Sequence, residues 1–268
     1  MKKIAVYCVT YNTYEELQSF LSSVKTAAEA ASDVALVSVF VADNTESDVQ
    51  NITFASDAIT LKVFGFHKNL GYFGAVKSMM LASAPELFDL TVISNVDLTL
   101  EKDTFAKIAR QPVSQDLGWI APCLFSRRLN YDRNPEMPHR YSRTKLEMLC
   151  LMFKYSLLMK LYRRLLYRKV VKRDTDHTPR NIYAGHGSFI ILTRNYFQRC
   201  GKIDYPPFLF CEEIYLAENC RRNGLAVKYD PSIVIYDNEH ASTSELAKKE
   251  IFYKYNYIAV KYILDKFY

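Results

Sequence analysis

Apolar residues in this chain fall into short runs, and three of those runs end in small polar clusters. Ile4 to Val9 leads into Thr10-Tyr11-Asn12, Val34 to Ala42 into Asp43-Asn44, and Leu90 to Ser94 into Asn95-Val96-Asp97. Runs of this length, bounded by turn-forming residues, predict strands at 3–9, 36–42 and 90–95, with a shorter one at 60–65. Between them, apolar positions recur at helical spacing over 14–30 and 72–84, the second stopping at Pro85. This alternation predicts an α/β fold: a Rossmann-like, mostly parallel central sheet with right-handed crossovers and helices on its faces. In such a sheet the ligand crevice lies beyond the carboxyl ends of the strands, so the three polar clusters are expected to meet in one pocket.

Beyond Asp97 the pattern predicts a helix at 101–110 and a strand at 118–124, and then it breaks. Residues 126–143 are polar and proline-bearing, and 144–171 is a long basic stretch with helical spacing. From Tyr183 the α/β grammar resumes, with a strand at 187–193, helices at 194–200 and 213–223, the latter ended by Gly224, and strands at 226–229 and 232–236. A helix rich in Tyr and Phe over 244–268 is expected to pack on the body or at a membrane surface. The reading is one domain over 1–268: an N-terminal half (1–125), a basic helical insertion (127–180), a second half (181–243) and a C-terminal aromatic helix (244–268).

A chain of 268 residues that is 49% hydrophobic can bury the core of one such domain. The net charge of +6 hides a strong polarity. Residues 127–173 hold 14 Lys and Arg against 3 Asp and Glu, a net of +11, while the rest holds 21 against 26. The six cysteines include no Cys-x-x-Cys pair and read as reduced thiols rather than a zinc site or disulfide framework. No apolar run is long enough for a membrane span, and the stretch after Met1-Lys2-Lys3 is too short for a signal peptide, so a cytoplasmic location is expected.

Several clusters could carry chemistry. Asp97 closes an apolar strand, where a carboxylate suits either a hard cation with a substrate phosphate or a cap on the next helix. Asp43 with Asn44 suits recognition of a base edge or ribose hydroxyl, or a simple turn. Asn69-Leu70-Gly71-Tyr72-Phe73-Gly74 sets two glycines at a helix start, where free N–H groups favour an anion; it is neither a dinucleotide fingerprint nor a Walker loop. Glu212-Glu213 follows the aromatic run Pro206 to Cys211 and opens a helix, a place that suits a dipole-stabilised acid or a general base made more basic by apolar walls. His240 stands just after the last apolar strand, as a structural residue or a metal ligand.

Taken in order, Val9-Thr10-Tyr11-Asn12, Asp43-Asn44, Asn69 to Gly74, Asn95-Val96-Asp97, Gly187-Ser188-Phe189-Ile190, Glu212-Glu213 and His240 resemble a family 2 glycosyltransferase of the rhamnosyltransferase-like branch. The resemblance covers most of the chain outside about 127–180. It implies a GT-A fold and inverting transfer of a sugar from a nucleotide diphosphate-sugar donor to a hydroxyl of a glycan or lipid-linked acceptor, in cell-surface polysaccharide synthesis. It further implies that Thr10, Asn12 and Asp43 contact the nucleoside, that Asn69 with Gly71 shapes the donor pocket, and that Tyr11, Asn44 and Asn95 belong to the same donor-binding set. Asp97, with His240, would hold Mg²⁺ or Mn²⁺, and Glu213, beside Glu212, would deprotonate the acceptor. The chain departs from the family pattern in Asn95, which replaces a carboxylate, and in Glu213, which replaces an Asp. The Gln-x-x-Arg-Trp signature of processive synthases is absent, so single addition is expected.

The basic stretch predicts an amphipathic helix for the surface of an anionic membrane, which would make the protein peripheral at its inner face. The alternative is a solvated helix packed on the body. A noncatalytic nucleotide-sugar binding protein of the same fold is the rival function. Nucleic acid is not an expected partner, because no recognition motif accompanies the basic segment.

Overall fold

A computed structural model describes residues 1–155, 176–238 and 249–268. Ten strands are described: β1 (Lys2–Thr10), β2 (Ala35–Asp43), β3 (Ile59–Gly65), β4 (Leu90–Ser94), β5 (Leu98–Leu100), β6 (Leu117–Ser126), β7 (Tyr131–Asp132), β8 (Arg180–Ile182), β9 (Phe189–Thr193) and β10 (Ala226–Asp237). The helices are α1 (Tyr14–Glu29), α2 (Tyr72–Ser83), α3 (Thr104–Arg110), α4 (Arg143–Lys154), α5 (Arg194–Cys200), α6 (Glu212–Arg222) and α7 (Lys249–Phe267). The strands form one mixed sheet in the order β3-β2-β1-β4-β9-β6-β10-β5, with β7 on β6 and β8 on β10. Strands β1 to β4 pair in parallel, as do β6 and β10, while β9 runs antiparallel to both of its neighbours.

Successive side chains of a strand point to opposite faces, and β1 shows what that does here. Ala5 and Tyr7 enter one core, and Ile4, Val6 and Cys8 enter the other. The first core takes the apolar faces of α2, α5, α6 and α7, and the second those of α1 and α3. A sheet covered on both faces needs nearly continuous apolar strands, which is why the runs were visible. On α1, Leu17, Phe20, Leu21, Val24, Ala27 and Ala28 are buried, one stripe at helical spacing. Each large side chain of that stripe stabilises the fold by about 1.5–3 kcal/mol through water release alone.

Two boundaries differ from the sequence reading, and two expected helices run partly outside the described residues. The strands expected at 226–229 and 232–236 are one strand, β10, whose pairing with β6 slips between Asp230 and Val234. Pro231 lies in that slip, and the Asp230 carboxylate accepts hydrogen bonds from the Ser232 N–H and hydroxyl, which gave the local signal of a turn. The helix expected from 101 begins at Thr104, because Leu98–Leu100 pairs with β10. Of the long basic helix, Arg143–Lys154 is seen as α4; 156–175 lies outside the described residues. The C-terminal helix is described from Lys249 and buries Ala259, Val260, Ile263 and Phe267 in the first core. The stretch 127–180 also supplies the edge strands β7 and β8. No helix among the described residues is long and apolar enough to cross a membrane, and all six cysteines are free thiols.

Candidate active site

The carboxyl ends of β1 and β2 lie side by side, with Thr10 paired in register to Asp43. Asp43 is 2% exposed, and both its oxygens accept internal hydrogen bonds, Oδ1 from the Thr45 N–H and Oδ2 from the Tyr14 hydroxyl, each at 2.9 Å. This is the turn geometry that the sequence left open for Asp43. Asn44 is buried beside it; its N–H donates to the Thr10 carbonyl and its Nδ2 to the Gly71 carbonyl at 3.2 Å, while Oδ1 has no partner among the described residues. Asn12, exposed and at φ 57°, donates its N–H to the Thr45 hydroxyl. Tyr11 is half-buried. Asn69 holds the start of α2 by accepting from the Gly71 N–H at 3.1 Å. Gly71 sits at φ 73°, and a Cβ there would lie 2.2 Å from the Phe208 carbonyl oxygen, so two loops meet at a position only glycine can fill.

Beyond β4, the Asn95 N–H and Nδ2 donate to the carbonyl and hydroxyl of Ser188, at 2.9 and 3.3 Å. This joins the Asp97 loop to the turn His186-Gly187-Ser188. The Tyr72 hydroxyl donates to the Gly187 carbonyl at 3.3 Å, and a Cβ on Gly187 would lie 3.5 Å from Glu213 Oε2. One turn therefore carries Asn95 on one side and Tyr72 and Glu213 on the other. The electrostatics agree: burial raises the Tyr72 hydroxyl pKa first, and both Glu212 and Asp97 raise it further.

The carboxyls themselves are perturbed. Asp97 is pushed up to about 6 by burial and then by the neighbouring charge of Asp237. A cavity of ≈ 440 Å³ opens beside it, lined by Glu15, Glu16 and Ser19 of α1 and by Asn238. A larger cavity of ≈ 540 Å³ lies at the amino ends of β6 and β10, against Pro112, Asp116, Leu117 and Ala226, and holds none of the expected site residues. Glu212 and Glu213 are both held well above the ordinary carboxyl range by burial; Glu212 is raised further by Glu213, and Glu213 by Glu136. They open α6 after two residues in the left-handed region, Phe210 at φ 75° and Cys211 at φ 61°. Neither is a glycine, and backbone of that kind is held only where its surroundings over-determine it, which is common at functional sites. Here the Tyr205 hydroxyl fixes the Phe210 carbonyl at 2.5 Å.

Three charged or titratable residues at this place had no sequence signal. Arg133 ion-pairs with the buried Asp237, and Asp97 accepts at its carbonyl from the Asn238 N–H, so β10 brings both to Asp97. Glu136 keeps 44% of its side chain exposed while burial of its carboxyl raises its pKa, the signature of a group on a cleft wall. His186 is pushed down to about 3 by burial and then by Arg133, so it is neutral; Nδ1 accepts from the Ser188 N–H, which leaves the proton on Nε2, 3.9 Å from Glu136. Each sits in a stretch without periodicity. The expected ligand His240 lies outside the described residues.

The fold family implies a divalent ion, and the donor chemistry admits one in part. Asp97 offers hard carboxylate oxygens that bond, among the described residues, to its own backbone, and its raised pKa marks negative charge in want of a cation. No cluster of three or more Asp, Glu, His or Cys suited to a metal occurs among the described residues, so Asp97 fits a site completed by substrate oxygens and water rather than a protein cage.

No family model and no curated protein matches the sequence. Solved structures that share its fold include two glycosyltransferases. S. aureus TarS superposes with a TM-score of 0.54 at 11% identity, over 92% of this chain and 38% of that one. GalNAc-T7, solved with UDP, GalNAc and Mn²⁺, superposes with a TM-score of 0.56 at 14% identity, over 90% of this chain and 44% of that one. The chain thus spans less than half the length of either, and what it shares with both is the GT-A fold.

Proposed function

We propose that the chain is an inverting glycosyltransferase that moves a sugar from a nucleotide diphosphate-sugar to a hydroxyl of a glycan or lipid-linked acceptor. The observation that carries this is a link between Asp97 and Glu213, 116 positions apart in the sequence: Asp97 acts on the Tyr72 hydroxyl, which donates to the Gly187 carbonyl, and Glu213 lies against Gly187. Both carboxyls are raised in pKa, at the carboxyl ends of the strands, where an open α/β sheet binds its ligand. Support comes also from the fold and from the Mn²⁺ and UDP in the GalNAc-T7 structure. The chemistry divides between the two groups. Glu213 takes the proton from the acceptor hydroxyl as its oxygen bonds to the anomeric carbon; the bond from that carbon to the diphosphate oxygen breaks, with the electron pair leaving on the diphosphate. A base against apolar walls is stronger for being buried, which suits a weakly acidic sugar hydroxyl. Asp97 would hold Mg²⁺ or Mn²⁺, which when bound offsets charge on the departing diphosphate.

The acceptor side is walled by Phe208, which packs against Tyr255 with ring centroids 4.9 Å apart, and by Phe210, 5.3 Å from Phe252. Aromatic faces of this kind suit the apolar face of a sugar ring. Nearby, α4 exposes Met148, Leu151 and Tyr155 on one side and carries Arg143, Lys145 and Lys154. That surface supports a lipid-linked acceptor presented at an anionic membrane.

The test is Glu213→Gln, assayed with a screen of nucleotide sugars by thermal shift and by transfer. The variant should keep the melting-temperature rise given by the donor and lose transfer by about 10²–10⁴-fold, the ordinary worth of a positioned base. Undiminished turnover removes Glu213 from the reaction. Donor binding without transfer or hydrolysis in the unaltered chain favours the noncatalytic binding protein.

A further inference from the structure

We infer that Arg133 binds the diphosphate of the donor directly, as a fixed protein cation beside Asp97. The inference rests on the transferase reading above and names a residue that reading does not use.

The position is built from the backbone outward. Arg133 follows β7, and its N–H donates to the Leu124 carbonyl at 2.8 Å. The next residue, Asn134, is 2% exposed and spends its amide on both sides, Nδ2 on the Pro122 carbonyl and Oδ1 on the His186 N–H, each at 2.7 Å. Arg133 is thereby pinned between β6 and the turn that carries Gly187. Its Nη1 donates to Asp237 Oδ2, and its remaining guanidinium N–H groups donate to nothing among the described residues. The side chain keeps 29% of its surface open.

The charge pattern says what that open edge faces. Arg133 acts on Asp97, on Glu136 and on His186, so it stands where the metal-side and base-side walls come together. Around it are Asp97, Asp237 and Glu136, all acidic, with Glu213 beyond Glu136, and a donor diphosphate is itself an anion. An anion settles among such groups only where cations offset the repulsion. Asn95 stands where a second carboxylate would strengthen the hold on a metal ion, and the described residues form no metal cluster of three or more donors. A guanidinium meets this need without a metal, because its planar fork matches two phosphate oxygens at once. As the anomeric carbon separates from the diphosphate oxygen, the electron pair left on that oxygen is met by N–H donors already in place.

The experiment is calorimetry on the full chain, unaltered and as Arg133→Gln, Arg133→Lys and Asp237→Asn. Each is titrated with UDP, GDP, ADP and dTDP and with the matching nucleosides, once with Mn²⁺ and once with chelator. For the diphosphate that the unaltered chain binds, Arg133→Gln should weaken affinity about 10- to 100-fold in both arms, the worth of charge-assisted hydrogen bonds, and leave nucleoside affinity unchanged. Arg133→Lys should recover part of the loss, and Asp237→Asn, which frees the guanidinium, should bind the diphosphate at least as well. Unchanged diphosphate affinity in Arg133→Gln overturns the inference. So does an equal loss for nucleoside and diphosphate, or a loss in Asp237→Asn as large as in Arg133→Gln, since either makes Arg133 a structural partner of Asp237. A chain that binds none of the four diphosphates defeats the transferase reading itself, and the inference with it.

Discussion

Glu213 and Glu136 come from different parts of the chain, and burial of Glu213, with a smaller contribution from the charge of Glu136, sets the acid limit of the proposed reaction. Burial keeps the Glu213 carboxyl protonated to higher pH than an ordinary glutamate, and the charge of Glu136 raises it further. A base works only when ionised, so transfer should decline as pH falls through neutrality. In Glu136→Gln the repelling charge is gone, the Glu213 anion forms more easily, and the acid limb of kcat/KM against pH should move to lower pH, by up to about one unit. An unmoved limb would mean that Glu213 is not the group that titrates, or that Glu136 does not act on it. Asp97 and Glu213 were legible in the sequence because each is a carboxylate at the end of an apolar run, where an acid stands out. Arg133, Glu136 and His186 were not. Their places are set by contacts between distant residues, such as Asn134 reaching both Pro122 and His186, and nothing in a local pattern reports those.

Whole elements were more legible where both faces are buried. The runs that became β1, β2, β4 and β9 carry apolar residues on both sides of the sheet, so their strand character did not depend on knowing which face meets which helix. The two- and three-residue strands β5, β7 and β8 have too little length for any period to show, and only their pairing with β6 or β10 defines them. The same holds for the junction between α2 and the loop before α6. The sequence marks Gly71 as the start of a helix, yet its stronger constraint is the Phe208 carbonyl pressed against it from 137 residues away. Gly71→Ala adds a methyl at 2.2 Å from that oxygen and a left-handed penalty at φ 73°. The variant should lose on the order of 2–4 kcal/mol of stability, read as a lower midpoint in urea, from strain and overpacking together. It should also lose donor affinity, because Asn44 and Asn69 both bond to Gly71. A variant with an unchanged midpoint would show that the Phe208 loop yields freely and does not hold α2 against α6.

Charge divides the whole molecule as the fold does not. Residues 127–173 carry a net +11 against −5 for the rest. α4 lies within that basic region. It buries Leu146 and Met152 inward, docks against α7 through the Phe153 and Phe252 rings, 6.1 Å apart, and leaves Met148, Leu151 and Tyr155 between 46% and 51% exposed. An apolar strip beside basic side chains would suit a bilayer whose headgroups are anionic: on binding, the strip would enter the interface, and each Lys or Arg near it would add about 1 kcal/mol. The electrostatic part acts over about 10 Å at 0.1 M salt and weakens as salt rises, whereas the apolar part does not. The full chain should therefore sediment with vesicles of phosphatidylcholine and phosphatidylglycerol, less as salt is raised, and poorly with phosphatidylcholine alone. Met148→Glu with Leu151→Glu leaves the buried face of α4 intact and should reduce sedimentation with the anionic vesicles while leaving the melting temperature near its original value. Equal sedimentation with both kinds of vesicle, or none with either, would separate the acceptor from the membrane, and a fall in melting temperature in the double variant would mean that this strip is covered by protein.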